Sequence, residues 1–354
     1  MKNIYLQYLD HQSDKTPLIL ATVTSTQGST PQKPGSSALF GKKGLVSGTI
    51  GGGVVEGRVD KLAREALISK KSGHFQFNLA NDISKKEEAI CGGQISVLID
   101  ANLKNHITVF KRLKESIKKR IPGILITMVT RFSEETVLIN RYWISSIDKP
   151  DIPVEFLTRI GPVVNIMLSE KNPSDYREID LTMPDEEPTS LFFLEAVYPP
   201  EHLAIAGAGH IGKALAHLAD MLDFEVTVID DRKEYANAAN IPEAAHIIVK
   251  DIGDALRDLE KNTNTYVVIV TRGHKDDASA LRPCIGTELA YTGMIGSKNK
   301  IAKMKSDFVE NGWSTTGQWD TIHTPIGLDI KSRTVEEIAV SIAAELILVR
   351  NSKK

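Results

Sequence analysis

Hydrophobic positions follow two regimes along this chain. From Leu203 onward, short unbroken apolar runs alternate with stretches of helical spacing. Leu203-Ala204-Ile205-Ala206 reads as a strand buried on both faces, about His210 to Leu222 as a helix, and Glu225-Val226-Thr227-Val228-Ile229 as the next strand. Ile247-Ile248-Val249, a short helix from about Asp254 to Glu260, Tyr266 to Val270 and Tyr291 to Ile295 continue the alternation. A parallel sheet requires this order, because its strands are covered on both faces and need crossover helices rather than tight turns between them. The last helix opens at Thr334, with Glu337 three residues on as a capping box, and turns Ile338, Ile342 and Leu346 to one face. The expected fold class is α/β, with a carboxy-terminal Rossmann-like doubly wound parallel sheet.

Before the diproline Pro199-Pro200 the pattern is less regular, and the change of character divides the chain into parts 1–198 and 199–354. Leu18 to Thr24 and Gly44 to Ile50 predict strands, and Val54 to Ile68 predicts a helix with Val55, Val59, Leu62 and Ala66 on one stripe. Ile95 to Ile99 is a further buried strand. After a basic helical stretch from Lys111 to Lys119 come the β-like pieces Ile124 to Val129, Thr136 to Asn140 and Val163 to Leu168. This first part is α/β, and the pairing of its strands does not follow from the pattern.

With 42% hydrophobic and 25% charged residues among 354, disordered, collagen-like and coiled-coil classes fall away. A net charge of -2 gives no electrostatic reason to expect nucleic acid or an anionic membrane as partner. Met1 to His11 lacks the basic and apolar regions of a signal peptide, and two cysteines, Cys91 and Cys284, are too few for a disulfide framework; both point to the cytoplasm.

The chemistry concentrates in glycine-rich segments. Gly207-Ala208-Gly209-His210-Ile211-Gly212 follows a predicted strand and opens a helix, the setting in which glycines let backbone N–H groups approach a phosphate. Asp230, 23 residues after Gly207, ends the second strand where an acidic group would meet a ribose hydroxyl, and Arg232 could instead face a 2′-phosphate or another anion. Thr271-Arg272-Gly273-His274, with Asp276 and Asp277, follows the strand ending at Val270 and shares that sheet edge. His210 and His274 could serve acid/base chemistry or hold a metal with Asp277; equally, His210 opens a helix and Asp277 caps the next one. Gly296-Ser297-Lys298 offers either an anion site or a capped helix start with a solvated lysine.

In the first part, Gly48-Thr49-Ile50-Gly51-Gly52-Gly53 lies between a strand and a helix, again the layout of an anion cradle, with Glu56 one turn further. Three successive glycines exceed the needs of a plain turn. Gln27-Gly28-Ser29-Thr30-Pro31 forms a hydroxyl-rich loop, and Cys91-Gly92-Gly93 leads into a strand. A cysteine flanked by two glycines is open on the backbone side, as a thiolate ligand or nucleophile should be, although an isolated cysteine is more often buried and inert. Cys284 carries only the inert reading.

In this order and combination the segments resemble the XdhC/CoxI family, the xanthine dehydrogenase accessory factors. The matching residues are Gly28-Ser29-Thr30-Pro31, Gly48 to Gly53 with Glu56, Cys91-Gly92-Gly93, Gly207 to Gly212 with Asp230 and Arg232, Thr271 to His274 with Asp277, Gly293-Met294-Ile295-Gly296-Ser297-Lys298, and Pro325-Ile326-Gly327-Leu328-Asp329-Ile330. Lys331-Ser332-Arg333 departs from the small residues expected after that last run, and about Asn102 to Glu195 carries no matching motif. The resemblance implies an accessory protein that binds the molybdenum cofactor (molybdopterin), protects it, assists its sulfuration and inserts it into an apoprotein of the xanthine dehydrogenase type, with a cysteine desulfurase as sulfur donor. It implies a chaperone rather than a turnover enzyme, with no catalytic residue and with a homodimer as a compatible assembly. Cys91, with Gly92 and Gly93, would hold the molybdenum end. Ser29, Thr30, Gly51, Gly52, Gly53 and Glu56 would grip the pterin or its phosphate. Gly207, Gly209, His210, Gly212, Asp230, Arg232, His274, Asp277, Ser297 and Lys298 would line a crevice for NAD(P), another nucleotide or the rest of the ligand. The alternative is an NAD(P)-dependent oxidoreductase with His274 or His210 as acid/base.

Overall fold

The computed structural model of the chain describes residues 3–11, 16–79, 93–132, 136–146, 152–170, 175–181 and 189–352. The chain divides into two compact units, Met1–Pro199 and Pro200–Lys354. In the second unit, strands β10 (His202–Ala206), β11 (Glu225–Asp230), β12 (His246–Val249), β13 (Thr265–Ile269) and β14 (Tyr291–Met294) form one parallel sheet. The order is β12-β11-β10-β13-β14, so the chain reverses direction across the sheet beside β10, the switch point at which doubly wound sheets bind ligands. Helices α5 (His210–Met221) and α10 (Val335–Ser352) cover one face through Leu215, Ala219, Ile342 and Leu346. Helices α6 (Ile252–Asp258), α7 (His274–Leu281) and α8 (Lys298–Glu310) cover the other, around Leu256, Leu281 and Phe308. Strand residues therefore alternate between two cores: Leu203 and Ile205 face α5, Ala204 and Ala206 face α6. The capping box at the start of α10 is formed, with Glu337 N–H donating to Thr334 Oγ1 at 3.2 Å and Thr334 N–H to Glu337 Oε2 at 3.2 Å. Short α9 (Thr316–Trp319) precedes the loop to α10.

The first unit is built on two antiparallel sheets. Strands β1 (Ile19–Gln27), β2 (Ser37–Gly41), β3 (Gly44–Gly48), β4 (Gly73–Asn78) and β5 (Gln94–Asp100) pair in the order β3-β2-β1-β5-β4. Helix α2 (Gly53–Ser69) packs on one face through Val55, Val59, Ala63 and Ala66, against Ile19, Ala21 and Val23. Leu18 and Leu20 point the other way, towards α1 (Ile4–Asp10) and α3 (Ile107–Lys118). The second sheet, β7-β6-β9-β8, comprises β6 (Gly123–Arg131), β7 (Val137–Ser145), β8 (Tyr176–Asp180) and β9 (Thr189–Val197).

Val163 to Leu168 is helical, not β-like. It lies inside α4 (Val154–Glu170), because Ile160, Val164 and Met167 repeat at helical spacing and bury one stripe against Ile124 and Phe192. That packing outweighs both the branched residues and Pro162 within the helix. No helix among the described residues is long and apolar enough to cross a membrane.

Candidate functional site

The first unit brings two of its predicted loops together at the amino end of α2. Gly51, Gly52 and Gly53 take φ of 122°, 70° and 57°, a left-handed run that side-chain-bearing residues resist. A Cβ on Gly51 would lie 2.6 Å from Pro31 Cγ, so the Thr49 to Gly53 turn rests directly on the Gln27 to Pro31 loop. A Cβ on Gly52 or Gly53 would meet nothing within 4 Å, which leaves this backbone open. The Thr49 hydroxyl accepts from Gly51 N–H at 3.1 Å and donates to Glu56 Oε2 at 3.2 Å, tying the turn to the first turn of the helix. Gly52 is the N-cap without a side-chain cap. The first backbone bond beyond it, Glu56 N–H to Gly52 O, is 3.4 Å, and the N–H groups of Gly53, Val54 and Val55 precede it.

Gly93 lies against the same Gln27 to Pro31 loop. A Cβ there would lie 2.5 Å from Ser29 O and 2.6 Å from Gln27 O, so only a glycine lets β5 begin against that loop. Thr30 spends its hydroxyl locally, donating to Gln32 O at 3.0 Å. Cys91 and Gly92 lie outside the described residues.

In the second unit the three fingerprint glycines have separate tasks. Gly207 takes φ of 120° and sits where a Cβ would be 2.5 Å from Val270 O; at Gly212 a Cβ would be 1.9 Å from Gly207 O. At Gly209, the N-cap of α5, a Cβ would meet nothing, and this is the open face of the turn. His210 begins α5 and is exposed. Asp230 is buried and turned inward. Its carboxylate accepts from Ala208 N–H at 2.8 Å, from Arg232 N–H at 3.0 Å, and from Arg232 Nε and Nη2 at 2.9 Å each. Burial would raise this carboxyl, but those donors outweigh it and hold it at about 2. Arg232 also stacks 3.9 Å from the Tyr235 ring centroid, and Arg272 Nη2 reaches Asp231 at 2.9 and 3.2 Å. Asp230 and Arg232 are thus partners of one another.

Asp277 does not cap α7. The N-cap is Gly273, without a side-chain cap, and Asp277 is fully buried in the first turn, accepting from Thr271 Oγ1 at 2.5 Å and paired with Lys300 Nζ. Ser297 caps α8 by accepting Lys300 N–H at 3.3 Å, while Lys298 is exposed. Lys300, at N3 of a helix beginning after Gly296-Ser297, is the cation that neutralises the buried Asp277. His274 opens α7, and its side chain lies outside what the structure describes. Among the described residues no group of three or more His, Cys, Asp or Glu could hold a metal ion.

Residues 11–78 match the model of the XdhC and CoxI family, and residues 203–346 match that of the XdhC Rossmann domain. The chain belongs to the XdhC and CoxI family. Among relatives of this XdhC and CoxI family member is a Bacillus subtilis protein whose name describes a probable subunit of xanthine dehydrogenase; it is 24% identical over 343 residues, with 95% of this chain and 94% of that one covered. The uncharacterized protein YqeB of Escherichia coli is 21% identical over 351 residues; the match spans 99% of this chain but 47% of YqeB, about half its length. A crystal structure described as a xanthine dehydrogenase from Bacillus halodurans superposes with a TM-score of 0.77, 24% identity and coverage of 99% and 96%, which speaks to the fold.

Two further sets of buried and half-buried polar groups accompany the family's loops. In the first unit, Tyr5 donates to Glu195 Oε2 at 2.6 Å, Arg141 pairs with Asp100, and His74 lies 2.8 Å from Thr24 Oγ1 and 3.1 Å from Arg131 Nη2. Burial pushes Glu195 up to about 7 against the opposing effects of Tyr5 and Arg141. Burial and the neighbouring Arg131 hold His74 at about 4; burial and Arg141, opposed by Asp100, do the same for His106. In the second unit, Glu345 of α10 accepts from Tyr291 OH at 2.5 Å and from Gly327 N–H at 2.9 Å, fixing the Pro325 to Ile330 loop. Lys331 after that loop takes φ of 62°, a conformation natural to the small residue the family pattern leads one to expect. Cys284 is buried, and its thiol is pushed up to about 12 by that burial, the state of an inert cysteine.

Proposed function

We propose that this chain is an accessory factor for a molybdoenzyme of the xanthine dehydrogenase type, which binds the molybdenum cofactor as cargo, shields it, assists its sulfuration and delivers it to the apoprotein. The observation that carries this reading is the contact of the Gln27 to Pro31 loop with the Thr49 to Gly53 turn at one helix start, with Gly93 against the backbone of the same loop. Membership of the family and the names of its relatives support it. The fit to the cargo is chemical: molybdopterin carries a phosphate, and Gly52 and Gly53 leave open backbone beside the N–H groups of an uncapped seventeen-residue helix. Gly53, Val54 and Val55 would bind the phosphate, and Thr49 with Glu56 would hold the turn in shape around it. Gly93 anchors the chain two residues after Cys91, whose thiolate is the soft donor suited to molybdenum. The cargo supplies the redox metal that the recipient enzyme uses. In this reading the sulfur comes from a separate cysteine desulfurase.

The Rossmann crevice takes a nucleotide or the remainder of the ligand in this reading, with Gly209 as its open point. An unmodified ribose would have to compete with Arg232 for Asp230, which disfavours the oxidoreductase alternative in its NAD form. The test is molybdenum by elemental mass spectrometry, with pterin fluorescence after oxidation, on full-length protein purified anaerobically from cofactor-replete cells. Both signals in near-equal amount, lost in Cys91→Ala, are expected. Neither signal in the parent protein, even after incubation with isolated cofactor, would overturn the carrier reading and make NAD(P) titration the next step.

A further inference from the structure

A second concavity lies at the opposite edge of the parallel sheet from the fingerprint turn. Lys261 leads into β13 and Arg282 stands between α7 and β14, so this groove opens at the amino ends of the strands, away from the Gly209 face. It encloses about 870 Å³, within the size range of small-molecule sites. Its lining sets three cations, Arg257, Lys261 and Arg282, against one carboxylate, Asp307. Helix ends account for part of this: Lys261 Nζ donates to Arg257 O at 3.1 Å and Leu259 O at 3.0 Å, the usual place for a cation at the end of α6, and Arg257 Nη1 pairs with Asp254 Oδ1 at 2.5 Å, leaving its other guanidinium donors to the groove. They do not account for Trp313. Of the three tryptophans, Trp143 and Trp319 are 2% and 3% exposed, whereas Trp313 is 39% exposed and projects beside the groove. Its ring is fixed edge-on by Phe308 at 5.3 Å and carries the Arg282 guanidinium 4.1 Å from its centroid. Arg282 is itself exposed, so this planar group, backed by an aromatic ring, faces solvent with donors to spare.

We propose that this groove is a second ligand site, separate from the fingerprint crevice, for a phosphorylated planar heterocycle of nucleotide type: the ring stacks on the Arg282–Trp313 pair and the phosphate meets Lys261 and Arg257. Each part of the ligand has its counterpart. A flat π-system stacks on a guanidinium as it does on an aromatic face, and a phosphate offers acceptors to the ammonium and the guanidinium fork.

Tryptophan fluorescence reads this site selectively, because Trp313 alone among the three is exposed. Titration of the full chain with AMP is expected to quench it saturably, with adenosine at least about tenfold weaker and ribose 5-phosphate without effect. Arg282→Ala and Lys261→Ala should each weaken AMP about tenfold, and Arg282→Lys should keep the charge but lose the stacking share. Arg272→Ala, at the other sheet edge, should leave the titration unchanged. The absence of saturable quenching up to millimolar AMP would overturn the proposal. So would an AMP response that survives in both Arg282→Ala and Lys261→Ala with unaltered circular dichroism, or one abolished by Arg272→Ala.

Discussion

Among the described residues two long helices begin on glycine without a side-chain cap, α2 at Gly52 and α5 at Gly209, and they are built differently. At α5 the turn is closed from behind: Gly207 and Gly212 lie at backbone contact, and Asp230 holds Ala208 N–H while Arg232 holds Asp230. Every element of that turn is fixed by its own unit. At α2 the glycines run left-handed, Gly52 and Gly53 into open space, while Pro31 approaches Gly51 and Gly93 lies against the backbone of the Gln27 to Pro31 loop. A preorganised turn with one open residue contrasts with a convergence of loops around an open backbone. The same local motif is thus closed by backbone contacts in one unit and left open beside a neighbouring loop in the other.

Substitution separates these two designs. The largest effect is expected at Gly212→Ala, whose Cβ would stand 1.9 Å from Gly207 O; backbone cannot yield cheaply there, and the second unit should lose about 3 kcal/mol or more in urea unfolding. Gly209→Ala, in open space at φ of -70°, should stay within about 1 kcal/mol of the parent. If Gly212→Ala proved as mild as Gly209→Ala, the closed-turn description would fail. Next is Gly51→Ala, where a left-handed φ and the 2.6 Å approach to Pro31 act together, and a loss of about 2 kcal/mol confined to the first unit is expected by hydrogen exchange.

The smallest effect concerns pH, where the two units run in opposite senses. Asp230, held at about 2, contributes stability that is complete above the ordinary aspartate range and is lost only as pH falls through about 2. Glu195 is raised, so the folded first unit holds its proton more tightly than the unfolded chain does. Its contribution is complete below the ordinary glutamate range and is lost as pH rises through about 7. Glu195→Gln should therefore gain on the parent by about 1 to 2 kcal/mol between about pH 5 and about pH 8 in urea titrations. His74 and His106, both depressed to about 4, weaken the unit as the solution becomes acid, and comparing variant with parent cancels them. A flat difference across that range would show that Glu195 is not a buried acid in solution.

The second unit was largely legible in the sequence because its information is local. A strand covered on both faces must read as an apolar run, and Leu203 to Ala206 and Tyr266 to Val270 do; the intervening helices announce themselves by spacing and caps. In the first unit the pieces were recognisable but their partners were not, because β1 pairs with β5 across a long stretch of chain. Gly73 to Asn78 carries too many polar residues to stand out as a strand, and the branched run in α4 imitated one. Within the site, the loops could be picked out singly by their glycines. That Gly51 touches Pro31, and Gly93 the backbone of Gln27 and Ser29, is tertiary information that no short window contains. Lys300 is masked in the sequence by its neighbours, the cap Ser297 and the adjacent cation Lys298. The mutual engagement of Asp230 and Arg232 was hidden for a related reason: each residue type invites an external partner.

The pairing of β1 with β5 also dictates an order of events during synthesis. A strand made within the first 27 residues waits for a neighbour that ends at Asp100, with β2, β3, α2 and β4 emerging in between. Closing so long a loop is slow, and until it closes the β1 edge is unpaired on one side. Gly93 reaches the Gln27 loop only through that closure. The contact between Gly93 and that loop is therefore absent from the nascent chain until the sheet is complete.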